Sequence, residues 1–113
     1  MENYTKSLLK KCGVPPHLMG YDYAGEAIEL IHEDRNYLRS ITASLYPTIA
    51  KKFGVRPGSV ERAIRTAIDA AFDNICDLPP ETIKEIFGNT IPAKTGKPTN
   101  AHFLATLADM MYD

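Results

Sequence analysis

The 113-residue chain contains no tryptophan, only two cysteines and almost no net charge. Cys12 and Cys76 lie far apart without a CxxC spacing, so the sequence predicts neither a disulfide framework nor a zinc site and is typical of a cytoplasmic protein. No apolar run reaches the length of a membrane span, so we expect no membrane partner. Because the formal net charge is −1, any surface that binds nucleic acid has to be a local basic patch.

Patterns that carry catalytic chemistry are equally scarce. His17, His32 and His102 are scattered and show none of the spacings that are typical of a metal site. The segment GNTIPAKTGKP at residues 88–98 lacks the spacing of a phosphate-binding P-loop. We therefore expect a protein that is not an enzyme and that uses no metal and no cofactor.

Clean two-residue alternation of apolar and polar side chains is also missing, so strands are not expected. Apolar spacing and Pro/Gly punctuation predict instead a single all-α domain over residues 1–113, with about six helices around a central helix-turn-helix. We expect Asp22 to cap the second helix, and Pro47 either to bend the third or to start a new helix after Leu45-Tyr46. The predicted helices are 4–12, 23–34, 37–53, 57–72, 81–87 and a last one capped by Thr99 or Asn100.

The helix-turn-helix is predicted over about residues 45–72. Gly54 stands where a left-handed residue would end the first helix, and Pro57 stands at the first position of the second. The small Ala50 allows the second helix to cross close over the first. Apolar residues of the second helix fall on one stripe at helical spacing: Val60, Ala63, Ile64, Ala67, Ile68, Ala71 and Phe72.

The opposite face of the second helix is polar, and from the pattern alone two interpretations of it stay open. Arginines near the start of such a helix are suited to bonding guanine, and a glutamate can accept from cytosine. Residues 51–65 also hold five basic side chains against one acid. Alternatively, Glu61 and Arg65 form an ordinary i,i+4 ion pair on a solvated face.

Three segments resemble a known family. They are GVPPHLMGYDYAGEAI at residues 13–28, SITASLYPTIAKKFGVRPGSVERAIRTAI at 40–68 and KPTNAHF at 97–103. From about residue 8 to about residue 110 the chain resembles the DNA-binding effector domain of the sporulation master response regulators of endospore-forming bacteria. The run LYPTIAKKF followed by SVERAIRTAI is specific to that family.

The resemblance implies a six-helix transcription regulator domain that binds a short, asymmetric, TGTCGAA-like promoter box through the major groove. It places the base contacts on Glu61, Arg62 and Arg65. The next exposed position, Thr66, where the family usually has a histidine, is also expected to meet a base. Contacts to DNA phosphates are expected from Lys51, Lys52, Arg56, Ser59 and Lys97.

The resemblance also implies partners beyond double-stranded DNA. In the family a phosphorylatable receiver domain precedes the effector domain, and phosphorylation promotes dimers on tandem boxes. No receiver is expected within this chain, which is either part of a longer protein or a short stand-alone relative. Residues 81–87 correspond to the family's surface for the RNA polymerase sigma factor.

An alternative function is a helical protein-interaction domain that keeps the fold with weakened or lost DNA reading.

Overall fold

The computed structural model describes residues 2–73 and 98–110, and every regular element within these ranges is helical. The all-α prediction is therefore confirmed for this part of the chain. The sixth helix, predicted at 81–87, lies outside the described residues, as do Cys76 and Lys97. The α-helices are α1 (Glu2–Lys11), α2 (Met19–Glu33), α3 (Tyr46–Phe53), α4 (Pro57–Asp73) and α5 (Asn100–Met110), with a 3-10 helix (Arg35–Arg39) and a π-helical turn (Ile41–Leu45) between α2 and α3.

The segment predicted as one helix over 37–53 is divided, so the prediction of a single bent helix is wrong. The 3-10 helix ends before Ser40, whose carbonyl accepts from the amides of Ser44 at 2.8 Å and Leu45 at 3.1 Å. The second of these bonds spans five residues and closes the π-helical turn. Pro47 follows in the first turn of α3, where its missing N–H leaves no donor without a partner. The alternative, a new helix beginning near Tyr46, is what the structure shows.

Two predicted helix caps have different outcomes. α2 begins at Met19, so Asp22 lies in its first turn and the prediction that Asp22 is the N-cap is wrong. Its carboxylate still lies near the positive end of the helix dipole. In α5 the cap prediction is confirmed, because Thr99 Oγ1 accepts from the backbone amide of His102 at 3.1 Å.

The core is organised around α2, which packs against each of the other four α-helices. Fully buried side chains come from all five α-helices and the turns between them, among them Leu9, Ile28, Ile49, Ile64 and Phe103. The predicted stripe of α4 faces this core: Val60, Ile64, Ala67, Ile68 and Ala71 are buried, and Ala63 and Phe72 are partly buried against them. None of the described helices is long and apolar enough to span a membrane.

Candidate nucleic-acid interface

A three-residue turn joins α3 to α4. Gly54 adopts a left-handed conformation, with φ of 69°, and its amide bonds the carbonyl of Ala50. The amide of Val55 bonds the same carbonyl at 3.0 Å, so the end of α3 is closed by backbone donors. α4 begins at Pro57, and the carbonyl of Arg56 accepts from Ser59 at 2.9 Å. The turn thereby holds α4 against α3 in a helix-turn-helix. Ala50 is buried at 2% exposure, and the close crossing of α4 over it stays a prediction.

The polar side of α4 points away from the core. Arg62, Arg65 and Thr66 are exposed, and Glu61 is half-buried at the edge of the same side. Because side chains three and four residues apart share a helix face, these four positions make one continuous surface over two turns of α4. The structure therefore brings together all the residues for which base contacts were predicted, while leaving their roles as predictions.

Glu61 and Arg65 form an i,i+4 ion pair, which was one of the two interpretations of the polar face of α4. Arg65 Nη2 lies 2.7 Å from Glu61 Oε1, and the two side chains are 61% and 38% exposed. An exposed pair of this kind adds little to stability. It does restrict the guanidinium of Arg65, which is compatible with presenting the remaining N–H groups to a partner.

The polar side of α4 is flanked by a groove on one edge and by the start of α5 on the other. On the Arg62 side, a shallow groove of about 250 Å³ is lined by the start of α2 together with α4. Met19 in this groove is 53% exposed, which is unusual for a large apolar side chain in this domain. At this groove α2 crosses α4 closely: a Cβ on Gly20 would lie 2.1 Å from the carbonyl oxygen of Ala63.

On the Arg65 side, the start of α5 lies against α3 and α4. Asn100 Nδ2 donates to Tyr46 Oη at 3.1 Å and to the backbone carbonyl of Glu61, also at 3.1 Å. Burial raises the pKa of the Tyr46 phenol above its ordinary value, against an opposing effect of the Asn100 amide. The hydroxyl is therefore protonated at neutral pH. The sequence predicted Asn100 only as a possible helix cap and gave no signal for these contacts.

The positions predicted to contact phosphates lie around the turn. Lys51, Lys52, Arg56 and Ser59 are all exposed. Lys52 is engaged by α2, because its Nζ lies 2.8 Å and 2.9 Å from the two carboxylate oxygens of Glu26. Contact of Lys52 with a phosphate would require this pair to open or to share the ammonium group.

Residues that could bind a metal or act as a nucleophile are scattered within the described part of the chain. No group of three His, Cys, Asp or Glu side chains in residues 2–73 and 98–110 could hold a metal ion. His17 is exposed, and His32 and His102 lie on different helices. Cys12 is 2% exposed, and burial raises the pKa of its thiol to about 11, so it behaves as a small core side chain, as predicted.

Two exposed arginines on the second helix of a helix-turn-helix are typical of the class of helix-turn-helix DNA-binding proteins. Comparison with protein families identifies the member of that class. The chain matches the family described as "Sporulation initiation factor Spo0A C terminal" over residues 5–111, and it belongs to that family. The predicted resemblance is thereby confirmed: this is a DNA-binding effector domain of a sporulation transcription regulator, in a family of regulators and not of enzymes.

Proposed function

We propose that this domain binds a short asymmetric promoter box with a TGTCGAA-like core by placing α4 in the major groove. Arg62 and Arg65 bond the O6 and N7 atoms of guanines, for which a planar guanidinium is well suited. Glu61 accepts from a cytosine amino group or holds Arg65 in position. The proposal rests chiefly on one observation: Arg62 and Arg65 are exposed together on α4, opposite its buried stripe.

The surroundings of α4 support this orientation. Around the turn, four polar side chains are exposed and are proposed to contact the sugar–phosphate backbone: Lys51, Lys52, Arg56 and Ser59. Lys97 is proposed as a further phosphate contact, although its position lies outside the described residues. Thr66 lies one turn beyond Arg62 and shares a groove with Met19, so its methyl and hydroxyl groups can meet a base edge or a thymine methyl.

The regulation of this domain is proposed from its membership of the family alone. Two domains bind side by side on tandem boxes, and the domain activates or represses transcription depending on where the boxes lie. Contact with an RNA polymerase sigma factor is proposed for residues 81–87, which lie outside the described part of the chain.

Titration of labelled duplexes at one stated salt concentration tests the proposal. A duplex with one TGTCGAA box should bind at least about a thousandfold more tightly than a scrambled duplex of equal length and composition. A duplex with two tandem boxes should bind two domains in steps that differ in affinity. Equal binding to the box and the scrambled duplex would contradict the proposal.

A protein-interaction domain with weakened DNA reading is the second candidate. It is favoured by the pairing of two predicted DNA-contacting cations with acids of the same chain, Arg65 with Glu61 and Lys52 with Glu26. The two candidates differ in salt dependence. DNA binding loses affinity steeply as salt rises, and its specific component persists only on the box. A protein-interaction domain should show a preference for the box far below a thousandfold, or none, at every salt concentration.

A further inference from the structure

We propose that Asn100 is a positioning residue for DNA reading, which fixes α4 against α3 and thereby sets the discrimination between bases. This inference rests on the proposed function, because it assigns the reading surface to α4. Asn100 lies at the start of α5. It is placed to act on α4 through the backbone of Glu61 and on α3 through the side chain of Tyr46.

The side-chain amide of Asn100 has both hydrogen atoms available for contacts between helices. The N-terminal cap of α5 is already supplied by Thr99, whose hydroxyl accepts from the amide of His102. Asn100 Nδ2 instead reaches two acceptors that are 54 and 39 residues away along the chain, each at 3.1 Å. One side chain thus connects three helices at a single point.

The bond to α4 is made within the part of the helix that is proposed to read bases. The carbonyl of Glu61 lies within the two turns that carry Arg62 and Arg65. Because successive side chains of an α-helix are separated by about 100° around the axis, a small rotation of α4 redirects both guanidinium groups. A contact to the helix backbone at this point restricts that rotation without occupying either arginine.

The bond to Tyr46 ties the same point to α3. Tyr46 is the first residue of α3, and the basic residues Lys51 and Lys52 lie in the last turn of that helix. Tyr46 is buried at 4% exposure, so its hydroxyl is a fixed acceptor. Asn100 therefore holds the helix proposed to read bases in register with the helix proposed to contact phosphates.

A set of four variants tests the inference. Asn100→Ala removes both bonds, Asn100→Asp keeps the shape but loses the donor, and Tyr46→Phe removes one acceptor. Thr99→Ala is the matched control, because it removes the cap of the same helix and destabilises α5. Each variant is titrated, at a temperature where it is fully folded, against the TGTCGAA duplex and its scrambled counterpart over a range of salt concentrations.

Both Asn100 variants should lower the ratio of box to scrambled affinity by about five- to tenfold. This is the effect expected from losing the hydrogen bonds between neutral groups that connect Asn100 to α3 and α4. For Asn100→Ala the slope of log affinity against log salt should stay at the wild-type value, because neither a phosphate contact nor a charge is changed. Thr99→Ala should keep the wild-type ratio, and Tyr46→Phe should fall between. A wild-type ratio in both Asn100 variants, or an equal fall in Thr99→Ala, would overturn the inference.

A second measurement separates this inference from the proposed function. Hydrogen exchange of the Arg65 amide, which bonds the Glu61 carbonyl within α4, is followed by NMR without DNA. Asn100→Ala should speed this exchange several-fold more than Thr99→Ala does. If the wild type bound both duplexes equally, the proposed function would fail, and faster exchange in Asn100→Ala would still support the positioning of α4. Unchanged exchange would overturn the inference whatever the DNA result.

Discussion

Lys51 and Lys52 are neighbours in the sequence, but their surroundings differ. Lys52 is held by both oxygens of Glu26, a carboxylate that is only 19% exposed. Its ammonium also lies 5.9 Å from the centre of the Phe53 ring. No acid within residues 2–73 and 98–110 forms an ion pair with Lys51. The two lysines should therefore contribute unequally to DNA binding.

Lys51→Ala should reduce the slope of log affinity against log salt by about 0.9, the contribution of one neutralised phosphate. Lys52→Ala should reduce it by clearly less, because opening the pair with Glu26 leaves a carboxylate that offsets the phosphate contact. The slopes are obtained from titrations at several salt concentrations, on both box and scrambled duplexes. Equal reductions for the two variants would show that Lys52 leaves Glu26 at no cost when DNA binds.

The buried thiol of Cys12 makes stability depend on pH in the alkaline range. Burial raises the folded-state pKa from 9.0 to about 11, so between these values the folded state binds more protons than the unfolded state. The free energy of unfolding should therefore be unaffected by this group below about pH 9, and fall by on the order of 1–3 kcal/mol as the pH rises to about 11. Urea denaturation at pH 8 and at pH 10.5 measures the change.

Cys12→Ala is the control for other groups that titrate in this range. The variant should be less stable at pH 8, because it leaves a small void, but its stability should fall less between the two pH values. A parallel fall in the variant and the wild type would contradict the assignment to Cys12.

At the residue scale, the sequence could predict exposure but not long-range contacts. The period of α4 alone placed Arg62 and Arg65 on the open side and Ile64 in the core, because a regular helix fixes these directions. The contacts of Asn100 with Tyr46 and Glu61, and of Lys52 with Glu26, join positions that are far apart in the chain. They depend on how the helices pack, for which local spacing gives no information.

At the scale of elements, α2 approaches α4 closely at Gly20. A Cβ at this position would lie 2.1 Å from the carbonyl oxygen of Ala63 and 2.7 Å from the Cβ of Ala67. Both neighbours belong to α4, and the nearer atom is backbone, which cannot turn away. α2 and α4 are thus held at a separation that only glycine permits at residue 20.

Gly20→Ala should force the two helices apart and lower the free energy of unfolding by about 1–3 kcal/mol. Gly58→Ala is the matched control, since Gly58 is also helical but has open space around its Cβ position. The control should be neutral or more stable by about 0.4–1 kcal/mol, because alanine restricts the unfolded chain. Urea denaturation of both variants measures the difference, and equal stabilities would refute a close crossing at Gly20.

The ends of the helices were predicted well where a glycine or proline can stand only at a helix end. Gly54 and Pro57 mark the turn of the helix-turn-helix in the sequence, and the structure has α3 ending and α4 beginning there. Pro47 alone was ambiguous, because a proline can bend a helix or stand in its first turn. The π-helical turn before it has no comparable sequence pattern, so the division of 37–53 could not be predicted.

At the scale of the whole molecule, the charged residues of a nearly neutral chain are unevenly distributed along the sequence. Acidic residues concentrate on α2 and just after it, whereas residues 51–65 carry five basic side chains and one acid. A local surplus of positive charge attracts a polyanion to that part of the surface. This segment contains the turn and the exposed polar positions at the start of α4. The local basic charge and the proposed reading surface on α4 therefore favour the same part of the domain for DNA, although the net charge is −1.

The most direct test of DNA reading by α4 compares wild type, Arg62→Ala and Arg62→Lys on the TGTCGAA duplex and on duplexes substituted at one base pair at a time. Arg39→Ala is the control, because it removes an equal charge from an exposed position on the 3-10 helix. Arg62→Ala should fold with nearly wild-type stability, since an exposed side chain is lost. It should lose about 1–3 kcal/mol of discrimination at one base pair, and Arg62→Lys should recover only part of it. The duplex substituted at that base pair should bind wild type and Arg62→Ala almost equally. If Arg62→Ala instead discriminates all duplexes as the wild type does, or loses no more than Arg39→Ala, α4 is not the helix that reads DNA.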